Sequence, residues 1–141
     1  MFKYAFSTTA CLLLLACAPR GESKTIEELV QVAQGRVTAA ESSAGQVSPQ
    51  VLDLRAALDG ALNTSSNSET VPPKVLAAIG EKISDLILHS APTTRPALTE
   101  LMRQYRALGQ AKTVGSDQVK LLVARTMHTV ASELETTKFS L

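Results

Sequence analysis

From residue 26 onward the apolar side chains return at intervals of three and four. Ile26, Leu29, Val30, Ala33, Val37 and Ala40 form the first stripe, with Glu27, Glu28, Gln31, Gln34 and Arg36 mostly on the other side. At 3.6 residues per turn this spacing gathers the apolar residues on one face, which predicts an amphipathic helix over residues 24–42. Ser23 stands where an N-cap is needed, and the acids at 27 and 28 suit the positive end of the helix dipole. A second helix opens at Ser48 with Pro49 in its first turn, where the missing N–H costs nothing. Its stripe is Val51, Leu54, Leu58, Ala61 and Leu62, with Gly60 weakening the last turn.

Asn63-Thr64-Ser65-Ser66-Asn67-Ser68-Glu69-Thr70 lacks periodicity and is built from small polar residues, so it reads as the longest loop of the chain. Val71-Pro72-Pro73 then starts a third helix with Leu76, Ile79, Ile83, Leu86 and Ile87 on one face, ending near Ser90. Pro92 and Pro96 punctuate the next connection. A fourth helix follows with Leu98, Leu101, Met102, Tyr105 and Leu108, closed by Gly109. Ser116 and Asp117 cap a fifth, whose stripe of Val119, Leu122, Val123, Met127, Val130, Ala131 and Leu134 is the most regular of all. No alternating run of β-branched residues appears. The expectation is an all-α fold, a small bundle of four to five amphipathic helices joined by short connections and occupying residues 24–141.

The segment before residue 24 follows a different pattern. Lys3 is its one charged side chain ahead of Cys17, and residues 4–16 are uncharged, finishing in Leu12-Leu13-Leu14-Leu15-Ala16. About 20 apolar residues are needed to span a bilayer as a helix. This run is shorter and meets Pro19, Arg20 and Glu22 at once, so it fits the apolar region of a secretory signal. Leu14-Leu15-Ala16-Cys17 resembles the lipobox of bacterial lipoproteins. The resemblance covers the leader alone. It implies that the Cys17 thiol receives a diacylglyceryl group, that the Ala16–Cys17 bond is cut, and that the new amino terminus is acylated as well. Residues 1–16 would then be the signal peptide and 17–23 a lipidated tether. Cys11 is the rival site, but cleavage there would leave Leu12 to Leu15 exposed on the mature chain. Ala18 rather than Asp follows Cys17, which in the sorting scheme of such lipoproteins implies the outer membrane, facing the periplasm.

Cleavage would leave 125 of the 141 residues, enough for one core. Lys3 departs with the leader and takes the 14 basic residues to 13, equal to the 13 acids. A nucleic-acid binder would carry a strongly basic face, so no nucleic-acid partner is expected. Cys11 is lost and Cys17 is consumed by lipid, so no disulfide can form. Tyr105 and Phe139 are the aromatic residues left beyond the leader, and there is no Trp. A stacking platform for bases is therefore not expected.

The remaining chemistry is sparse. His89 and His128 are the two histidines, and neither belongs to an HExxH pair or a ligand cluster, so no metal is expected. His89 falls near the end of the third helix, where an imidazole can satisfy carbonyls. His128 lies off the fifth stripe as a flanking residue. No GxSxG elbow, SxxK pair, GxGxxG or GxxxxGK[ST] loop is present, so no catalytic residue and no cofactor are assigned. Glu133 and Glu135, two apart on one helix, point to different faces and make poor acid–base partners. Arg95, Arg103, Arg106 and Lys112 against Glu100 read as the solvated face of the fourth helix, the alternative being a face that approaches anionic lipid head groups or an acidic partner. The expected function is that of a non-catalytic envelope lipoprotein, attached to membrane through Cys17 and docking an unidentified protein partner. The alternative is a carrier or sensor of a lipid or other hydrophobic ligand within the bundle.

Overall fold

The computed structural model describes residues 25–140, with side chains described as far as Thr137. The segments read as signal peptide (1–16) and tether (17–23), with Cys11 and Cys17, lie outside the described residues. Five helices account for most of the rest: α1 Ile26–Ala44, α2 Pro49–Asn67, α3 Pro73–Ile87, α4 Arg95–Leu108 and α5 Ser116–Ser140. The fold is all-α, as the periodicity predicts, apart from two very short strands, β1 Thr70–Val71 and β2 Val114–Gly115.

Four local expectations are corrected. Thr25, not Ser23, caps α1. Its hydroxyl accepts the Glu28 N–H while the Glu28 carboxylate accepts the Thr25 N–H, a reciprocal capping box. The segment read as a long loop is mostly helix, since α2 runs through Gly60 to Asn67. Thr64, Ser65 and Asn67 each donate a side-chain hydrogen bond to the carbonyl four residues earlier. That satisfaction lets small polar residues continue a helix, and Ser65 is buried on the same stripe as Ala61 and Leu62. Ser116 opens α5 as its first residue rather than capping it: its N–H donates to the Glu69 carbonyl at 2.9 Å and its hydroxyl to that of Ser68. Lastly, β1 and β2 pair antiparallel with Val71 opposite Val114, both buried. Strands of two residues leave no alternation for a sequence pattern to reveal.

The helices alternate in direction. Lys120 lies 3.2 Å from Glu27, and Arg36 meets His128 and Ser132, so α1 and α5 run parallel side by side. Arg55 of α2 reaches Glu41 and Thr38 of α1, and Asp59 and Asn63 share a cleft with Gln34 and Glu27, so α2 runs against α1. The β1–β2 pair therefore ties together the end at which α1, α3 and α5 begin. The opposite end holds the α1–α2 and α3–α4 connections. At the first of these, Gly45 adopts φ +76° and ψ −51° while Gln46 N–H donates to the Ala44 carbonyl at 2.8 Å. This is a γ-turn with the positive φ that glycine alone adopts without strain.

One apolar cluster holds residues from all five helices and both strands. α5 is its spine: Val119, Val123, Met127 and Val130 face inward, while Leu122, Ala124, Ala131 and Leu134 are buried on the flanks. α3 and α4 pack closely, and a Cβ on Gly109 would stand 2.9 Å from the Ala77 Cβ. Glycine there lets the end of α4 close onto α3.

Tyr105 is wholly buried where α4 meets α5, and its hydroxyl lies 2.7 Å from Thr126 Oγ1. Thr126 spends its single hydroxyl proton on the Leu122 carbonyl, so Tyr105 donates and Thr126 accepts. Burial pushes the Tyr105 hydroxyl far above the usual tyrosine range, with the Thr126 bond and the charge of Arg125 pulling it only partly back. In the unfolded chain this phenol loses its proton near pH ~10. Stability from this group is therefore constant below that pH and falls above it, because the unfolded state ionises first. Of the two tyrosines, Tyr4 lies ahead of residue 17, so in a chain prepared without residues 1–16 Tyr105 is the sole chromophore of its kind. Its tyrosinate absorbance is expected to rise only together with loss of the helical circular dichroism. Tyrosinate forming in an intact helical protein at the ordinary tyrosine pKa would overturn the buried hydroxyl pair.

Candidate functional site

Because α1 leans on α5 and α2 on α3 and α5, the first two helices part at the end where α1 begins. The result is an open groove of about 470 Å³. α1 supplies Glu27, Val30, Gln31 and Gln34; α2 supplies Arg55, Asp59, Leu62, Asn63 and Ser66; Lys120 of α5 lies at its base. The charges in it are matched. Lys120 pairs with Glu27 at 3.2 Å, and Arg55 lies 3.4 Å from Asp59 and 2.8 Å from Glu41. Glu27's carboxyl is held below the usual range, first by a hydrogen bond from its own backbone N–H and then by the Lys120 hydrogen bond and charge. The amides of Gln31 and Gln34 and the hydroxyl of Ser66 make no hydrogen bond to another described residue. Each can donate and accept, and Val30 and Leu62 give the groove a small apolar strip. Such a lining suits a neutral, hydrogen-bonding chain rather than an anion or a flat aromatic ring. An enclosed apolar chamber, which a lipid carrier would use, is a different thing from this open and mixed surface.

Cys17 lies outside the described residues. His89 sits exposed in the turn after α3, and its imidazole makes no hydrogen bond to the carbonyls there, contrary to expectation. The Leu86 carbonyl is taken by the backbone N–H of His89, and that of Ile87 by the N–H and hydroxyl of Ser90. His128 flanks the core, half-buried, with Nδ1 3.3 Å from Arg36 Nη1. Arginine only donates, so Nδ1 accepts and the imidazole carries its proton on Nε2. Arg36 also bonds Ser132 and Glu135, each at 3.0 Å, and so clamps α1 to α5 on the edge away from the groove.

Glu133 and Glu135 point apart as their spacing dictates: Glu135 is on the surface and Glu133 is buried. The role of Glu133 is new. It accepts the Ala91 N–H at 3.1 Å and the Thr94 hydroxyl, pinning the α3–α4 turn to α5. The basic bias of α4 is largely spent locally. Arg95 donates to the Ser90 carbonyl, Arg103 pairs with Glu100, and Arg106 lies 3.5 Å from Glu81.

Among the described residues no group of three or more His, Cys, Asp or Glu is placed to hold a metal ion, and no helix is long and apolar enough to cross a membrane. Sequence reasoning missed the groove because two of its five α2 residues, Asn63 and Ser66, fall in the stretch read as a loop. Gln31 and Gln34, amides along one edge of the first stripe, were its one available signal. Neither a family model, nor a curated protein, nor a solved structure matches this chain.

Proposed function

We propose that this chain is a lipid-anchored, non-catalytic docking factor. Acylated on Cys17 and held on a bacterial outer membrane facing the periplasm, it presents its helical bundle to a protein partner beside that membrane. The observation that carries the reading is the short distance along the chain from Cys17 to the fold. α1 begins at Ile26, so eight residues intervene. Fully extended at 3.3–3.6 Å each, they reach about 28 Å. That is longer than a tether ending at Ser23 and still short on the scale of a periplasmic excursion. The groove opens at this same end, since Glu27 on its rim is the second residue of α1. A ligand of that groove is therefore met at the membrane.

The test is a photo-crosslinking amino acid at Gln31, with Cys17 intact and in Cys17→Ser. Two or three acyl chains anchor a protein lastingly, at about 0.8 kcal/mol per buried methylene, where one gives marginal binding. Cys17→Ser is expected to leave the membrane fraction or remain unprocessed, and the discrete adduct formed by the anchored protein is expected to disappear. Membrane attachment that survives Cys17→Ser but is lost in Cys11→Ser would overturn the anchor. An adduct indifferent to Cys17 would overturn membrane-proximal docking.

A further inference from the structure

Five large apolar side chains stay exposed among the described residues: Leu29, Val32, Leu52, Leu88 and Leu121. Three of them belong together. Arg36 and His128, which touch across the α1–α5 seam, are 92 positions apart. The same offset sets Leu29 against Leu121, two helical turns nearer the start of both helices. Val32 is one turn on from Leu29 along the same edge of α1, between it and Arg36. Leu29 is 37 % exposed, Val32 49 % and Leu121 43 %. This edge is the one opposite the Glu27–Gln34 edge that lines the groove.

We propose that Leu29, Val32 and Leu121 form the face by which the bundle rests on the lipid bilayer. The assignment deepens the anchored-protein reading and rests on it. What selects the bilayer as occupant is where the preceding chain enters. The tether joins α1 at Thr25, four residues before Leu29 and eight residues after Cys17. At 1.5 Å of rise per residue, Leu29 and Val32 lie within about 10 Å of that entry point. Acyl chains on Cys17 would hold a bilayer within reach of the patch. Weak apolar contact then suffices, because the anchor makes the second contact intramolecular. A second copy of the chain fits less well. Three half-exposed aliphatic side chains offer a small fraction of the roughly 800 Å² per partner that a stable dimer buries. With this edge on the lipid, the groove on the other edge of α1 faces away from the bilayer and stays open to a partner.

The chain contains no Trp, so one introduced indole is a clean reporter. Val32→Trp and Leu121→Trp are the test positions, and Ser66→Trp on the groove rim is the control. Each variant is examined in vesicles of phosphatidylethanolamine and phosphatidylglycerol with brominated acyl chains, in two arms. In one, the full chain is purified from membranes and reconstituted; in the other, the chain beginning at Cys17 is coupled through that thiol to a maleimide lipid. The expected result is a blue shift and strong bromine quenching at Val32→Trp and Leu121→Trp, and neither at Ser66→Trp. Adding Leu29→Asp is expected to abolish the quenching at Val32→Trp without altering the circular dichroism.

An anchored protein with unquenched reporters overturns the proposal and leaves the lipoprotein reading standing. Quenching in the coupled arm from a chain that cells do not acylate on Cys17 upholds the bilayer-binding face and overturns the lipoprotein reading. A blue shift without bromine quenching, together with a dimeric mass in solution, assigns the patch to a second copy and overturns the proposal.

Discussion

Val130→Asp is expected to lower the stability of the bundle by about 3–5 kcal/mol, the scale measured when an uncompensated charge is left in a protein interior. Val130 is 1 % exposed and lies on the inward face of α5 among the residues of the single core. A carboxylate there either stays ionised without a partner or takes up a proton at a free-energy cost, and both routes favour unfolding. A domain of this size has about 5–15 kcal/mol in all, so the variant should unfold at much lower denaturant or be largely unfolded as made. The control is the same change at Leu121 on the same helix, 43 % exposed, which should alter stability in solution by only about 0.5 kcal/mol. Urea titration followed by circular dichroism gives both values. Equal tolerance of the two substitutions would contradict the placement of α5 as the spine of the fold.

Glu133→Ala should cost about 1–3 kcal/mol, because the Ala91 N–H loses its carboxylate acceptor and the Thr94 hydroxyl is left with the Ala91 carbonyl alone. Glu133 as a whole is 3 % exposed, and a cavity opens where its side chain stood. Glu133→Gln retains the shape and one carbonyl oxygen, so it should cost about half as much or less. Glu135→Ala, two residues on, breaks a surface pair with Arg36 whose side chains are 38 % and 49 % exposed, and such pairs contribute about 0–1 kcal/mol. Hydrogen exchange should localise the first effect, with the Ala91 amide losing protection in Glu133→Ala before the helices do. An Ala91 amide equally protected in all three variants would mean that the turn is held by something other than Glu133.

The helices and their inward faces were legible in the sequence because burial in a bundle imposes a period of 3.6 on each segment independently. Leu76, Ile79, Ile83 and Leu86, or Leu98, Leu101 and Tyr105, need no knowledge of a partner helix to be recognised as one face, and all are buried. Where a residue's role depends on a side chain's own backbone, the pattern was ambiguous. Ser65 and Asn67 look like loop residues, yet bonds to carbonyls four residues back keep them helical.

What the sequence alone determined is therefore the set of helices, their inner faces, a nearly even charge balance, and a cysteine at the end of an apolar run ahead of the first helix. What only the tertiary structure decided is everything that requires two distant segments to meet. Glu133 becomes a structural pin because α5 passes the α3–α4 turn 42 positions away. Thr126 accepts the hydrogen bond of the Tyr105 hydroxyl across a helix interface. The groove exists because α1 and α2 lean on α5 more than on each other. Leu29 and Leu121 become one patch only through the parallel register of two helices 92 positions apart, a register fixed by packing and by no spacing within either helix.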